Sequence, residues 1–441
     1  MSSFACSLSY TIDEQTIHME VRNGQLWCME FDSSATMVLF LQQVKKQSIG
    51  WQSTLPQSIN IQIVPYEITH AEEKTFYYQQ RYHATENDDV ISVREFIGQP
   101  NQVIPSLLQQ SILHNRLDEP ITCLSTGEFK IACLLKAFRP ASKIIFFEEL
   151  FAGLDAANRT LVIQFLHILK QTLQTCIIAT TIRPYETSLF DRYIKIHSSN
   201  PQNQNFFYPD SLKNLFCKRS HHDFQYAFKL SNIQVKYNDR FILRNISWTV
   251  KKGEKWALRG KNGSGKSTLL SLINADHPQS YINDITLFDQ PRTYGQNIWD
   301  IKENIGFFSH EFFRFFDKSK TVADTVFSIV NSHPYKPSTN LQMLDEKLSI
   351  LMDYFGIPIH KKHQAVYHLS PAQQRLSILL GIVLKEAPLL ILDEPYHHFD
   401  LPTIKKFNHL LDHFHNPCTL IFVSHDENDF PSCIQHHFYL S

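Results

Sequence analysis

The chain has 441 residues, with 42 Lys+Arg against 43 Asp+Glu and a formal net charge of −1. That balance, without any Lys/Arg block, excludes a nucleic-acid scaffold held by bulk charge, while the length admits two domains of about 200 residues, each with its own core. Eight cysteines with no C-x-x-C pair suit a reducing compartment, and no secretory pattern or apolar run of about 18 residues is visible, so a cytoplasmic chain without a membrane span is expected.

In chain order, the first stretch of interest is Phe31-Asp-Ser-Ser-Ala-Thr-Met-Val-Leu39, which carries no phosphate chemistry of its own. Leu124-Ser-Thr-Gly-Glu128 follows, then the acids Glu148 and Glu149, and Asp155. From Ser198-Ser-Asn-Pro-Gln-Asn-Gln204 to about His222 the chain turns polar. We therefore expect a first α/β domain over 1–199, a linker over 200–227 and a second domain over 228–441. A flexible linker of that length spans about 30 Å root-mean-square and would hold two domains at roughly millimolar effective concentration.

The second half carries the strongest motif. Lys255-Trp-Ala-Leu-Arg259 reads as a buried strand and Thr268-Leu-Leu-Ser-Leu-Ile273 as a helix start; between them lies Gly260-Lys-Asn-Gly-Ser-Gly-Lys-Ser-Thr268, a phosphate-binding loop pattern. Only 13 glycines occur in the chain, yet Gly260, Gly263 and Gly265 fall here. They leave backbone N–H groups, with those of Asn262 and Ser264, free to approach phosphate oxygens at a helix N-terminus. Lys266 would reach the β- and γ-phosphates of a nucleotide, with Ser267 offering its hydroxyl to Mg²⁺. Pro388-Leu-Leu-Ile-Leu-Asp-Glu-Pro395 is an apolar strand ending in Asp393, suited to hold the metal through water, and Glu394, suited to polarise the attacking water. Thr419-Leu-Ile-Phe-Val-Ser-His425 is another buried strand, with His425 at its tip.

The 22 histidines include His409 and His413, four apart, and His397-His398 behind the acids. No cysteine or carboxylate cluster completes a metal set, so a solvated helical face is the expectation. Phe312-Phe313-Arg314-Phe315-Phe316 reads by default as core packing.

The halves repeat one plan. Trp256 lies 229 residues after Trp27; Leu369, Glu394 and Asp400 each lie 245 after Leu124, Glu149 and Asp155. The alignment sets Phe31, Thr36, Met37 and Val38 against Gly260, Gly265, Lys266 and Ser267, sets Glu148 against Asp393, and puts Thr181 in the place of His425. A methionine cannot neutralise phosphate, and side chains where glycine stands block close approach. Conversely, Leu369-Ser-Pro-Ala-Gln373 is the counterpart of Leu124–Glu128 and has a proline without an N–H.

This ordered set resembles the ABC-type ATPases over nearly the whole chain twice. The resemblance implies two tandem P-loop nucleotide-binding domains, each with a mainly parallel sheet core and a helical signature subdomain. In the family, each ATP lies between the Walker motifs of one domain and the signature of the other. Here that implies one composite site: Gly260–Thr268, Asp393, Glu394 and His425 from the second half, with Ser125, Thr126, Gly127 and Glu128 from the first. The resemblance also implies a Q-loop role for His310, with Tyr66 in the matching place, and an adenine-stacking role for Tyr237, with Tyr10 in the first half. Asp155 and Asp400 would be interface residues. Phe312–Phe316 falls near where a membrane partner's coupling helix docks in transport ATPases. Within the family, Tyr237–Leu243, Asp276–Tyr281, Asp284–Phe288, Ile298–Lys302 and Phe422–His425 are similar to double-domain molybdenum-transport ATP-binding proteins. A separate permease as partner, intramolecular pairing of the domains in a monomer and a peripheral position at the inner face of the plasma membrane follow as expectations.

Overall fold

The computed structural model describes residues 5–12, 15–22, 24–45, 50–53, 61–64, 91–98, 109, 111–121, 124, 126–137, 144–151, 154, 156–173, 175–185, 187–196, 212, 215–216, 223–237, 240–261, 263–293, 296–309, 312–313, 316–333, 340–413 and 418–440. It divides into two compact units, one built chiefly on residues up to 203 and the other chiefly on those from 204 onward.

The first unit runs β1 (Ala5–Ile12), β2 (Gln15–Arg22), β3 (Leu26–Phe31), α1 (Ser34–Lys45), β4 (Gly50–Ser53) and β5 (Ile61–Val64). It continues with α2 (Val93–Ile97), α3 (Thr126–Ala137), β6 (Ile144–Glu148), α4 (Ala156–Leu173), β7 (Cys176–Thr181) and β8 (Arg192–Ile196). β2, β1 and β4 form an antiparallel sheet. The core sheet has the order β5-β6-β7-β3-β8, with parallel pairs throughout. Its central strands, LWCMEF and CIIATT, are buried almost end to end, the continuous rather than alternating burial that a sheet covered on both faces requires.

The second unit opens with a long antiparallel ribbon, β9 (Tyr226–Tyr237) and β10 (Arg240–Lys251), interrupted by register shifts. β11 (Lys255–Gly260), α5 (Lys266–Ile273), β12 (Asp284–Leu287), β13 (Gln290–Pro291), α6 (Ile298–Glu303) and β14 (Ile305–Phe308) follow. Three helices come next, α7 (Val322–Val330), α8 (Leu341–Tyr354) and α9 (Pro371–Leu384). β15 (Leu389–Asp393), α10 (Leu401–Asp412), β16 (Thr419–Val423) and β17 (His436–Leu440) complete it. The core sheet, β14-β15-β16-β11-β17, is again all parallel. Each of its strands has a counterpart in the same place in the first unit's sheet, so the repeat seen in the sequence is a repeat of topology. The phosphate-loop residues, Asp393 and His425 all stand at or just past the carboxyl ends of these strands, the edge where open α/β sheets hold ligands.

Among the described residues Cys28, Cys133, Cys176, Cys418 and Cys433 are free thiols, and no helix is long and apolar enough to cross a membrane.

Candidate functional site

The loop between β11 and α5 is shaped by what its glycines lack. Gly265, the N-cap of α5, has φ +93°, and a Cβ there would stand 2.8 Å from Leu243 Cδ2. At Gly260 a Cβ would meet the Leu440 carbonyl oxygen at 2.5 Å. No side-chain hydrogen bond caps α5. Lys266 folds back over the loop, donating from Nζ to the carbonyls of Gly260 at 2.8 Å and Lys261 at 3.0 Å. Ser264 Oγ is buried without a hydrogen-bond partner, Ser267 is exposed, and Thr268 is half-buried on the first turn of α5. The Ser264 N–H, expected to be free, donates to the Lys261 carbonyl at 3.2 Å; the main-chain N–H groups, ammonium and hydroxyls at this helix N-terminus are the groups that can hold a polyphosphate. Asn262 lies outside the described residues.

Two strands away, Asp393 ends the fully buried β15. Glu394 next to it is left-handed, φ +49°, and its N–H donates to the Val423 carbonyl at 3.1 Å. The turn sets the carboxylate between two imidazoles: Oε1 is 3.6 Å from His425 Nε2 and Oε2 is 3.7 Å from His397 Nε2. Glu394 is also held from behind, because Arg375 Nη1 donates to its carbonyl at 3.2 Å. Arg375 is fully buried on α9, 4.5 Å from the Phe313 ring and 5.4 Å from Phe308. Ser424 Oγ donates to Asp429 at 2.7 Å and accepts from the Asp426 N–H at 3.2 Å, bracing the turn that carries His425. Neither Arg375 nor His397 belongs to a motif visible in the sequence; the one signal for Arg375 is a lone charge at the head of an otherwise apolar helix.

The matching region of the first unit is closed. α1 begins at Ser34, the residue aligned with Gly263, three positions earlier than α5 begins. Ser33 caps it, accepting the Thr36 N–H at 3.1 Å, and Met37 N–H donates to the Ser33 carbonyl at 3.2 Å. The loop is thus wound into helix, and Met37 is wholly buried in an apolar cluster with Phe31 and Phe40. Glu149 keeps the left-handed turn of Glu394, φ +47°. Its carboxylate, however, faces inward, accepts the Ile182 N–H at 2.8 Å and is pushed up to about 7 by burial. One correction concerns the histidine position. β6 pairs Glu148 with Thr180 and β15 pairs Asp393 with Val423, so Ile182, not Thr181, stands where His425 stands, and Thr181 matches Ser424.

The helix-opening motifs are built alike. In the first unit Thr126 starts α3, Gly127 follows on its main chain, and Glu128 accepts from Arg116 Nη1 at 2.6 Å. In the second unit Gln373 accepts from Lys361 Nζ at 3.1 Å. Both basic residues precede their partner by twelve positions. Ser370 caps α9 by accepting the Gln373 N–H at 3.3 Å, and Pro371 takes the first helical position, where no N–H is needed. Asp400 is half-buried just before α10. Ser125, Asp155, His310, Tyr66 and the side chains of Thr126, Tyr10 and Tyr237 lie outside the described residues. Phe313 is core, while Phe312 and Phe316 pack on each other, ring centroids 5.6 Å apart. The His409 and His413 rings, on and just past the last turn of α10, lie with centroids 4.1 Å apart and planes tilted by 41°.

The chain belongs to the ABC transporter ATP-binding proteins: residues 243–397 match the family described as ABC transporter, and the chain is an ABC-type ATPase. Among its relatives, the ABC transporter ATP-binding protein ModF of Escherichia coli (strain K12) is 32% identical over 359 residues, covering 75% of this chain and 72% of ModF. An uncharacterized ABC transporter ATP-binding protein of Schizosaccharomyces pombe is 26% identical over 418 residues, 88% of this chain and 83% of its own length. A dimeric ATP-binding cassette solved with ADP and Pi in a post-hydrolysis state is 21% identical and covers 48% of this chain and 94% of its own, with a TM-score of 0.42.

Proposed function

We propose that the chain binds and hydrolyses one Mg²⁺–ATP, with Gly260–Thr268 around the phosphates, Tyr237 at the adenine and the first half's Ser125–Glu128 completing the site. The observation that supports this is the division of labour between units: one loop is an open glycine cradle under Lys266, the other a capped helix sealed by Met37. The Ser267 hydroxyl and the Asp393 carboxylate are hard oxygen donors suited to Mg²⁺, which supplies charge neutralisation at the phosphates when bound. Glu394 orients and deprotonates the attacking water, His425 contacts the γ-phosphate, and His310 takes the Q-loop place. Asp155 and Asp400 serve the pairing of domains.

The domains assigned are 1–199 and 228–441, joined by 200–227. Motion on ATP binding would drive a separate membrane permease from the cytoplasmic side; the stretches similar to molybdenum-transport proteins make molybdate the first solute to test. A histidine instead of glutamine at position 310 favours one second reading, an ATP sensor that binds without turnover.

The test pairs two variants. Glu394→Gln should retain ATP while kcat falls by roughly 10²-fold or more; Ser125→Arg should abolish phosphate release with nucleotide affinity kept. Full turnover in Ser125→Arg would remove the shared site, and absence of phosphate release from the parent chain would leave the sensor reading.

A further inference from the structure

Away from the nucleotide residues, α6 carries Asp300 and Glu303 three positions apart, on one face of the helix. His333 lies just beyond the end of α7, its imidazole almost entirely buried, with Nε2 3.2 Å from Asp300 Oδ1. One donor atom from each of the three residues falls within 4.8 Å of the others. Two ligands bound at Zn²⁺ distances to a tetrahedral ion stand about 3.4 Å apart. The histidine and aspartate, hydrogen-bonded to each other, already stand near that spacing, and Glu303 offers a carboxylate oxygen within 4.8 Å of both.

We propose that Asp300, Glu303 and His333 form a binding site for a borderline divalent transition-metal ion of the Zn²⁺ class. The ligand set decides the class: Mg²⁺ and Ca²⁺ take oxygen shells, whereas a buried imidazole with two carboxylates suits Zn²⁺ and its neighbours, with water in the remaining position on the open Asp300 side. Of the lysines nearby, Lys302 pairs with Asp276, while Lys385 Nζ donates to the carbonyls of Lys302 at 2.7 Å and Ile305 at 2.9 Å and feels the Glu303 charge, so an ion would share that carboxylate with Lys385.

The position gives the ion something to do. α6 runs directly into β14, which leads to position 310, while His333 hangs from α7. α7 packs on the signature helix α9 so closely that a Cβ at Gly381 would stand 2.9 Å from Ile329 Cδ1. An ion bound here ties the helical segment to the sheet at the approach to the Q-loop, so metal occupancy sets how freely α7 and α9 move.

The test uses the full chain, stripped with chelator and free of nucleotide, with Co²⁺ as the visible probe and His409→Gln/His413→Gln as background to silence the other histidine pair. One Co²⁺ per chain should bind, giving visible d–d absorption that Zn²⁺ displaces and Mg²⁺ does not. Asp300→Ala and Glu303→Ala should each weaken it by roughly tenfold or more, and Lys266→Ala should leave it unchanged. Both carboxylates are at least partly open to solvent, so these variants keep the site testable if a His333 variant fails to fold. Equal Co²⁺ binding in Asp300→Ala and Glu303→Ala, or no Co²⁺ absorption at all in the background chain, would overturn the site.

Discussion

Glu149 and Glu394 share a backbone and differ in everything else. Both occupy the left-handed region, an unfavourable conformation for a side chain with a Cβ, worth of order 1–3 kcal/mol. At Glu394 the turn presents a carboxylate to two imidazoles; at Glu149 it buries one against a backbone N–H. Burial raises the Glu149 carboxyl from 4.5 to about 7, so the native chain keeps a proton that the unfolded chain has released between those values. Stability must fall as pH rises through that window, by up to about 3 kcal/mol if the whole shift is realised. Glu149→Gln keeps the acceptor for Ile182 and removes the charge. It should therefore raise the urea midpoint relative to the parent at pH 8 and leave it nearly unchanged at pH 4.5; an equal effect at both values would contradict the assignment. Arg375 shows the limit of reading residues singly. Its guanidinium lies between Phe313 and the Glu394 carbonyl; the sequence marks it only as a lone charge at the head of an apolar helix, and packing shows it as the support of the turn that carries Glu394.

At the scale of elements, the contrast between α1 and α5 is where three residues begin to be helical. Glycines at 263 and 265 keep the chain from winding early, whereas Ser33 and Thr36 supply a side-chain cap that starts the helix at once. Gly265→Ala would force a Cβ into the left-handed region, about 1–2 kcal/mol, and against Leu243. ATP affinity should drop by roughly tenfold or more, measured by fluorescent-nucleotide titration. Gly263→Ala, where a Cβ meets nothing within 4 Å, should be the milder of the two. Strand–loop–helix order and the apolar runs of β11, β15 and β16 were legible in the sequence because composition alone marks buried parallel strands. The exchange of Thr181 for Ile182 was not legible: Cys176 lies 32 residues after Ile144, but Thr419 lies 30 after Leu389. Those two extra residues shift the alignment, and only strand pairing reveals where they are absorbed.

Over the whole molecule, the five-stranded parallel order appears twice, and the motif spacings already disclosed that duplication. What spacing could not disclose is that the first loop has been sealed rather than merely altered. Sealing differs from weakening: a loosened cradle would still admit nucleotide at high concentration, whereas here the loop is capped helix and Met37 stands buried in an apolar cluster at the lysine position. The chain should accordingly follow a simple hyperbolic isotherm for ATP, with a Hill slope of one and no second, low-affinity phase as the nucleotide pool grows. With the single site proposed, a cell would thus see a graded output that saturates once, however rich the energy supply becomes.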